Sequence, residues 1–194
     1  MFNGIIYNTG IVEVISKKEN SSEIILKTNL ALKKKEIGSS ISCNGTCLTV
    51  TKINKNFISF YLSDETLKKT NFNNIKKGSV VNIEKSLNYG TKISGHYVQG
   101  HIDTTAKILK ILILDKTWIV TFIIDKFFTK YLIEKASISI NGVSLTISKL
   151  NKNQFQINII PHTLKLTNLI KLQKNDLVNI EFDIFSKYLI NLKK

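Results

Sequence analysis

The chain has 194 residues, 43% of them hydrophobic, and a net charge of +14; all 28 basic residues are Lys spread along its length, a pattern that argues against the Arg-rich patches of nucleic-acid readers. Its longest apolar runs, such as Trp118 to Ile124, are too short to cross a membrane, and the opening Met1-Phe2-Asn3-Gly4 lacks the basic and apolar regions of a secretory signal. Two cysteines, Cys43 and Cys47, cannot staple a chain of this size, so a reducing cytoplasm is the expected setting.

In chain order, Ser39 to Cys43 reads as a strand, Asn44-Gly45 as a two-residue hairpin turn, and Thr46 to Ile53 as the returning strand. The spacing of Cys43 and Cys47 places them on one face, with at least one of them buried. Asn54-Lys55-Asn56 turns the chain into a third strand, Phe57 to Leu62. Asp64 to Lys69 opens with two acids and is expected to be helical. Val80 to Glu84 closes this series as a strand. Then comes Ser94-Gly-His-Tyr-Val-Gln-Gly-His101, where glycines flank two histidines and let the backbone turn or approach a ligand.

The series then repeats. Ser40-Ile-Ser-Cys-Asn-Gly-Thr-Cys-Leu-Thr-Val50 returns as Ser137-Ile-Ser-Ile-Asn-Gly-Val-Ser-Leu-Thr-Ile147. Asn151-Lys152-Asn153 repeats the second turn, and Pro161 opens the second short helix. Val178 to Glu181 repeats Val81 to Glu84. A period this long is a duplicated domain rather than a solenoid unit. The expected division is 1–89, 90–183 and a tail at 184–194. Short strands with Asn/Gly turns predict an all-β architecture of two barrels or sandwiches. In the tail, Ile184, Phe185, Tyr188, Leu189 and Leu192 form one apolar helical stripe, and Lys193 and Lys194 suit a helix C-terminus.

The chain carries no zinc-ligand spacing, Walker loop, GxGxxG or GxSxG. Six motifs in register nevertheless resemble the riboflavin synthase family. They are Met1-Phe-Asn-Gly-Ile-Ile6 with Thr9-Gly10, Ser42 to Thr51, Glu65 to Asn71, Gly95 to Asp103, Asn141 to Thr146, and Ile159 to Thr163. The chain departs from the family at Asn3, where Thr is usual, and at Ser94, where Gly is usual.

The resemblance implies two similar six-stranded antiparallel Greek-key barrels, plus a C-terminal helix that gathers a homotrimer. It also implies a reaction without cofactor or metal. Two molecules of 6,7-dimethyl-8-ribityllumazine dismutate to riboflavin and 5-amino-6-ribitylaminouracil, and lumazine synthase is a candidate partner. On this reading the first pocket uses Gly4, Ile5, Ile6, Cys47, Leu48, Thr49, Tyr61, Leu62, Ser63, Asp64, Glu65 and Thr66. The second uses Gly100, His101, Ile102, Lys135, Ser144, Leu145, Thr146, Asn158, Ile159, Ile160, Pro161, His162 and Thr163. His101 is the candidate for proton transfer, with Ser144 and Cys47, equivalent in the two copies, as acid, base or transient nucleophile. A non-catalytic lumazine carrier of the same fold is the competing expectation. It needs one working pocket, whereas both copies here keep the Asn-Gly…Leu-Thr strand.

Overall fold

The computed structural model describes residues 1–192 and contains two closed barrels of six antiparallel strands. The first comprises β1 (Asn8–Lys18), β2 (Ser21–Thr28), β3 (Ser40–Cys43), β4 (Thr46–Asn54), β5 (Phe57–Ser63) and β6 (Val80–Lys85). Their order is β1-β2-β5-β4-β3-β6, closed by β6 pairing with β1. β7 (Thr104–Leu114), β8 (Thr117–Ile123), β9 (Ser137–Ile140), β10 (Val143–Asn151), β11 (Gln154–Ile159) and β12 (Leu177–Phe182) repeat that order. Helix α1 (Asp64–Lys69) follows β5, α2 (Pro161–Leu166) follows β11, and α3 (Ile184–Leu192) follows β12. Lys193 and Lys194, expected at the end of the tail helix, lie outside the described residues.

Local sequence accounts for the hairpins. Asn44 and Gly45 have φ of 46° and 80°, and Asn141 and Gly142 repeat those values. Both turn residues are left-handed, which Asn-Gly tolerates and which matches the twist of the flanking strands. Along β4, Leu48 and Val50 point into the barrel while Cys47 and Thr49 point out. The hairpin also separates the two cysteines: Cys43 lies in β3 with its side chain fully buried, and Cys47 lies in β4 on the outer face. They do not share a face, because the turn at Asn44-Gly45 breaks the strand spacing between them. Bulges at Val12/Val14 and Val50/Lys52 recur at Ile108/Lys110 and Ile147/Lys149, bending both barrels at equivalent points.

Asparagines join the barrels about a pseudo-twofold axis. Asn44 Oδ1 accepts from the Asn82 N–H, and Asn141 Oδ1 accepts from the Asn179 N–H, both within one barrel. Across the junction, Asn82 Nδ2 donates to the Asn141 carbonyl, and Asn179 Nδ2 donates to the Asn44 carbonyl, each at 2.9 Å. The Asn168 N–H donates to Asn82 Oδ1 at 2.7 Å, and the Asn71 N–H donates to Asn179 Oδ1 at 2.6 Å. At the centre a Cβ on Gly45 would stand 2.7 Å from the Gly142 nitrogen, and the reverse holds for Gly142. Since a buried polar group without its partner costs about 1–3 kcal/mol, this lattice fixes one relative placement of the barrels. Asn82→Ala strips the Asn168 amide and the Asn141 carbonyl of partners at once. It is expected to lower the unfolding free energy by about 2–4 kcal/mol, measured by urea titration; a loss below about 0.5 kcal/mol would show that the lattice contributes little.

Candidate active site

Two segments cross between the barrels. The Phe2 N–H donates to the Val98 carbonyl at 2.7 Å, and the Val98 N–H returns a bond at 3.2 Å, pairing the N-terminal segment with the inter-barrel linker. From there each segment reaches the opposite barrel. The Gly4 carbonyl accepts from the Ser144 N–H in β10, and the Gly100 carbonyl accepts from the Cys47 N–H in β4, both at 2.8 Å. Gly4 and Gly100 have φ of 72° and 83°, and a Cβ on either would sit 2.6 Å from the Cβ of Ser144 or Cys47. Only glycine satisfies both demands.

A buried carboxylate fastens each crossing. Glu84, at the end of β6, accepts from the Asn3 N–H (2.7 Å) and the Gly4 N–H (3.0 Å). Glu181, in β12, accepts from the amides of Gln99 (2.6 Å), Gly100 (2.8 Å) and His101 (3.2 Å). Burial raises both carboxyls to about 7, and the donated amides offset only part of that rise.

The expected site residues fall on two outer surfaces. On barrel one, Cys47 and Thr49 face outward, and β5 carries exposed Tyr61 and Ser63 beside them. The Ser63 hydroxyl caps α1 by accepting from the Thr66 N–H, which places Asp64, Glu65 and Thr66 at the edge of this surface. Barrel two repeats the arrangement with Ser144, Thr146 and Asn158, then Ile160, Pro161, His162 and Thr163 at the start of α2. Lys135 joins it from a turn, its N–H donating to the Ile147 carbonyl. Its φ of 70° is a left-handed setting that the first copy gives to Gly38.

The grouping differs from the expectation in one respect. Gly4, Ile5 and Ile6 go with Ser144 rather than with Cys47: Gly4 lies on Ser144, and Ile6 belongs to the barrel-two core. Gly100, His101 and Ile102 go with barrel one: Gly100 lies on Cys47, and Ile102 approaches Gly45. The segments trade barrels because each carboxylate grips a segment that continues past its own barrel. The side chains of Leu48, Leu62 and Ile159 are buried in the barrel cores, with Leu145 half-buried against them, so these four offer a ligand mainly their backbone. Burial also drives the Cys43 thiol far above its ordinary range, leaving Cys47 as the accessible sulfur. A cleft of about 510 Å³ lies elsewhere, lined by Asn44, Asn71, Asn141 and Asn168, and contains none of the expected site residues.

The lumazine binding domain family matches this chain twice, at residues 3–86 and 99–183. A riboflavin synthase of Bacillus subtilis is 38% identical over 189 residues, covering 97% of this chain and 88% of its own. The chain belongs to the riboflavin synthase family. It is on that ground an enzyme, a transferase of the riboflavin pathway. The riboflavin synthase of Buchnera aphidicola is also 38% identical, over 100% of this chain and 94% of that one. Among solved structures, LumP complexed with riboflavin superposes with a TM-score of 0.83 at 28% identity, over 94% of this chain and 99% of LumP. LumP complexed with 6,7-dimethyl-8-(1'-D-ribityl)lumazine gives 0.81 at 27% identity, over 93% and 98%.

This family member carries one site group that motif reading left unassigned. His96 is buried, and its Nδ1 lies 2.7 Å from the Ser144 hydroxyl. Burial lowers its pKa and favours the neutral ring, opposed by the charge of Asp183. The paired histidines of the linker were the available signal, yet spacing could not tell which ring turned inward. His101 remains exposed, with its backbone held by Glu181.

The carboxylates generate a pH prediction. A folded pKa of about 7 against an ordinary 4.5 means that Glu84 favours folding when protonated. Its contribution is fully present below pH 4.5 and is lost as pH rises through 7. The difference in unfolding free energy between the wild type and Glu84→Gln should therefore fall steadily between pH 5 and 8 in urea titrations; a difference that grows with pH would contradict the assignment.

Proposed function

We propose that the protein dismutates 6,7-dimethyl-8-ribityllumazine without a cofactor. One molecule passes a four-carbon unit to another, and the products are riboflavin and 5-amino-6-ribitylaminouracil. The observation that carries the reading is the crosswise pairing of Gly4 with Ser144 and Gly100 with Cys47, which builds two equivalent surfaces on one chain. Two identical substrates need two similar sites, and holding them in register makes a bimolecular step effectively unimolecular. Membership of the riboflavin synthase family and the LumP complexes with lumazine and riboflavin support the same ligand class.

On each surface, backbone groups beside the crossing glycine address the pyrimidinedione edge and Thr49 or Thr146 adds a hydroxyl; Ile102 packs on the ring at barrel one, whereas Ile6, its counterpart, is buried in the core of barrel two. Glu65, Thr66 and Thr163 hold ribityl hydroxyls. The chemistry requires loss of a proton from the C7 methyl of one lumazine and activation of C7 on the other. His101, exposed beside Cys47, takes the methyl proton. Ser144 passes its proton to neutral His96 and attacks C7 of the second molecule, leaving again when the carbon bonds are made.

The reacting pair forms between subunits. Helix α3 is anchored to its own chain by buried Ser186 and by Lys187, whose ammonium meets Asp103 at 3.1 Å. Phe185, Tyr188, Leu189 and Leu192 remain 60–82% exposed, so most of the stripe expected to dock faces away from its own barrel. Three such helices covering one another bring barrel one of one chain against barrel two of the next.

The test is to supply purified protein with the lumazine alone. Riboflavin fluorescence should appear as two lumazines are consumed per riboflavin, and binding without turnover would instead indicate a carrier like LumP. Mixing a Thr49→Ala chain with a Thr146→Ala chain should restore part of the activity that each lacks. A dead mixture of folded, assembled chains would contradict the intersubunit site.

A further inference from the structure

The inter-barrel strap from Ser86 to Gly95 has little holding it. Tyr89, Gly90, Thr91, Lys92 and Ser94 are exposed, and its backbone bonds to the rest of the chain include one from the Leu87 N–H to the Met1 carbonyl at 3.0 Å. Yet the residue immediately after the strap, His96, is buried with its ring on Ser144. Something must fix the strap at its last step.

The group that does so is Asn3, only 8% exposed. Its Oδ1 accepts from two successive amides, Ser94 at 2.8 Å and Gly95 at 2.9 Å. Its Nδ2 reaches the Lys92 carbonyl at 3.5 Å, at the limit of a hydrogen bond, and its own N–H is held by Glu84. These are the side-chain bonds made to the strap's backbone among the described residues. The backbone they secure is wedged in place: a Cβ on Gly95 would stand 2.1 Å from the Asn3 carbonyl oxygen and 2.8 Å from the Ser144 Cβ. Gly95 thus fills the gap between Asn3 and Ser144, and the next residue delivers the imidazole.

We infer that Asn3 is a positioning residue, fixing through the Ser94–Gly95 backbone the ring of His96 against the Ser144 hydroxyl. It makes no hydrogen bond to Ser144 Oγ, and acts through the geometry of the neighbouring pair. One amide oxygen accepting two consecutive N–H groups removes the pivot about which the strap would swing. The importance of the pair for turnover rests on the dismutation proposed above; the structural role of Asn3 does not.

The test uses Asn3→Val and Asn3→Thr in the full chain, since these side chains share a shape and differ by one hydroxyl. In the ligand-free protein, the imidazole ¹⁵N signals of the three histidines are assigned by single substitution. Asn3→Val should shift the His96 Nδ1 signal toward that of a solvated ring and leave His101 and His162 unchanged. With lumazine, Asn3→Val should lower kcat at least tenfold while KM stays within about threefold, and Asn3→Thr, able to hold one of the two amides, should recover part of both losses. Unchanged His96 signals in Asn3→Val would overturn the inference whatever the activity, as would equal behaviour of the Val and Thr chains. If Asn3→Val does not fold, the same comparison between Asn3→Thr and the wild type decides, with a normal His96 signal and normal kcat overturning it. A wild type that makes no riboflavin would refute the dismutation while the ¹⁵N comparison still judges Asn3.

Discussion

The bonds between two buried carboxylates and the amides of the crossing segments underlie everything else in the site. Without Glu84, the amides of Asn3 and Gly4 would be left unpaired at the junction, and without Glu181 those of Gln99, Gly100 and His101. Each would cost about 1–3 kcal/mol. Paired hydrogen bonds of this kind fix the height and direction at which a strand of backbone leaves the barrel. The glycine that follows then lies flat on the opposite barrel's outer strand. The backbone edges exposed beside each glycine, the orientation of Ser144 and Cys47, and the entry of the linker histidines all depend on that placement.

Duplication gave the molecule two such arrangements, and substitution has since made them unequal. Cys47 on barrel one answers to Ser144 on barrel two, so one surface offers a thiol and the other a hydroxyl. The hydroxyl has a buried imidazole behind it, while the thiol has exposed His101 one residue beyond the glycine that covers it. Gly38 and Lys135 occupy equivalent left-handed turns, but only the second carries a charge. The half-buried Asp103–Lys187 pair, at the end of the second crossing, ties that crossing to the tail helix. Two like surfaces with unlike acid–base groups suit a reaction in which identical molecules play different parts.

Much of this was legible in the sequence. The Asn-Gly turns, the strands that flank them and both short helices follow from turn chemistry, alternation and first-turn residues. The long strands β1, β2, β7 and β8 were not individually legible. Beyond its bulge, β7 carries exposed Leu112, Ile113 and Leu114 on successive positions, which erases the alternation. Glu84 and Glu181 were visible as a repeated Val-Asn-Ile-Glu, but an acid ending an apolar strand reads as solvent-facing unless the amides that meet it are known. The exchange of segments between barrels was invisible for a deeper reason. Sequence order places Gly4 with the first copy and Gly100 with the second, and only the tertiary path of two short connections reverses the pairing.

That exchange is the central claim, and ligand-induced shifts of two threonine methyl groups test it directly. Thr49 reports barrel one and Thr146 reports barrel two, each on an outer strand. When the wild type is titrated with 6,7-dimethyl-8-ribityllumazine, both signals should move. In Gly4→Ala the response of Thr146 should be lost and that of Thr49 kept, and Gly100→Ala should show the reverse. Loss of the Thr49 response in folded Gly4→Ala, with Thr146 unaffected, would contradict the account.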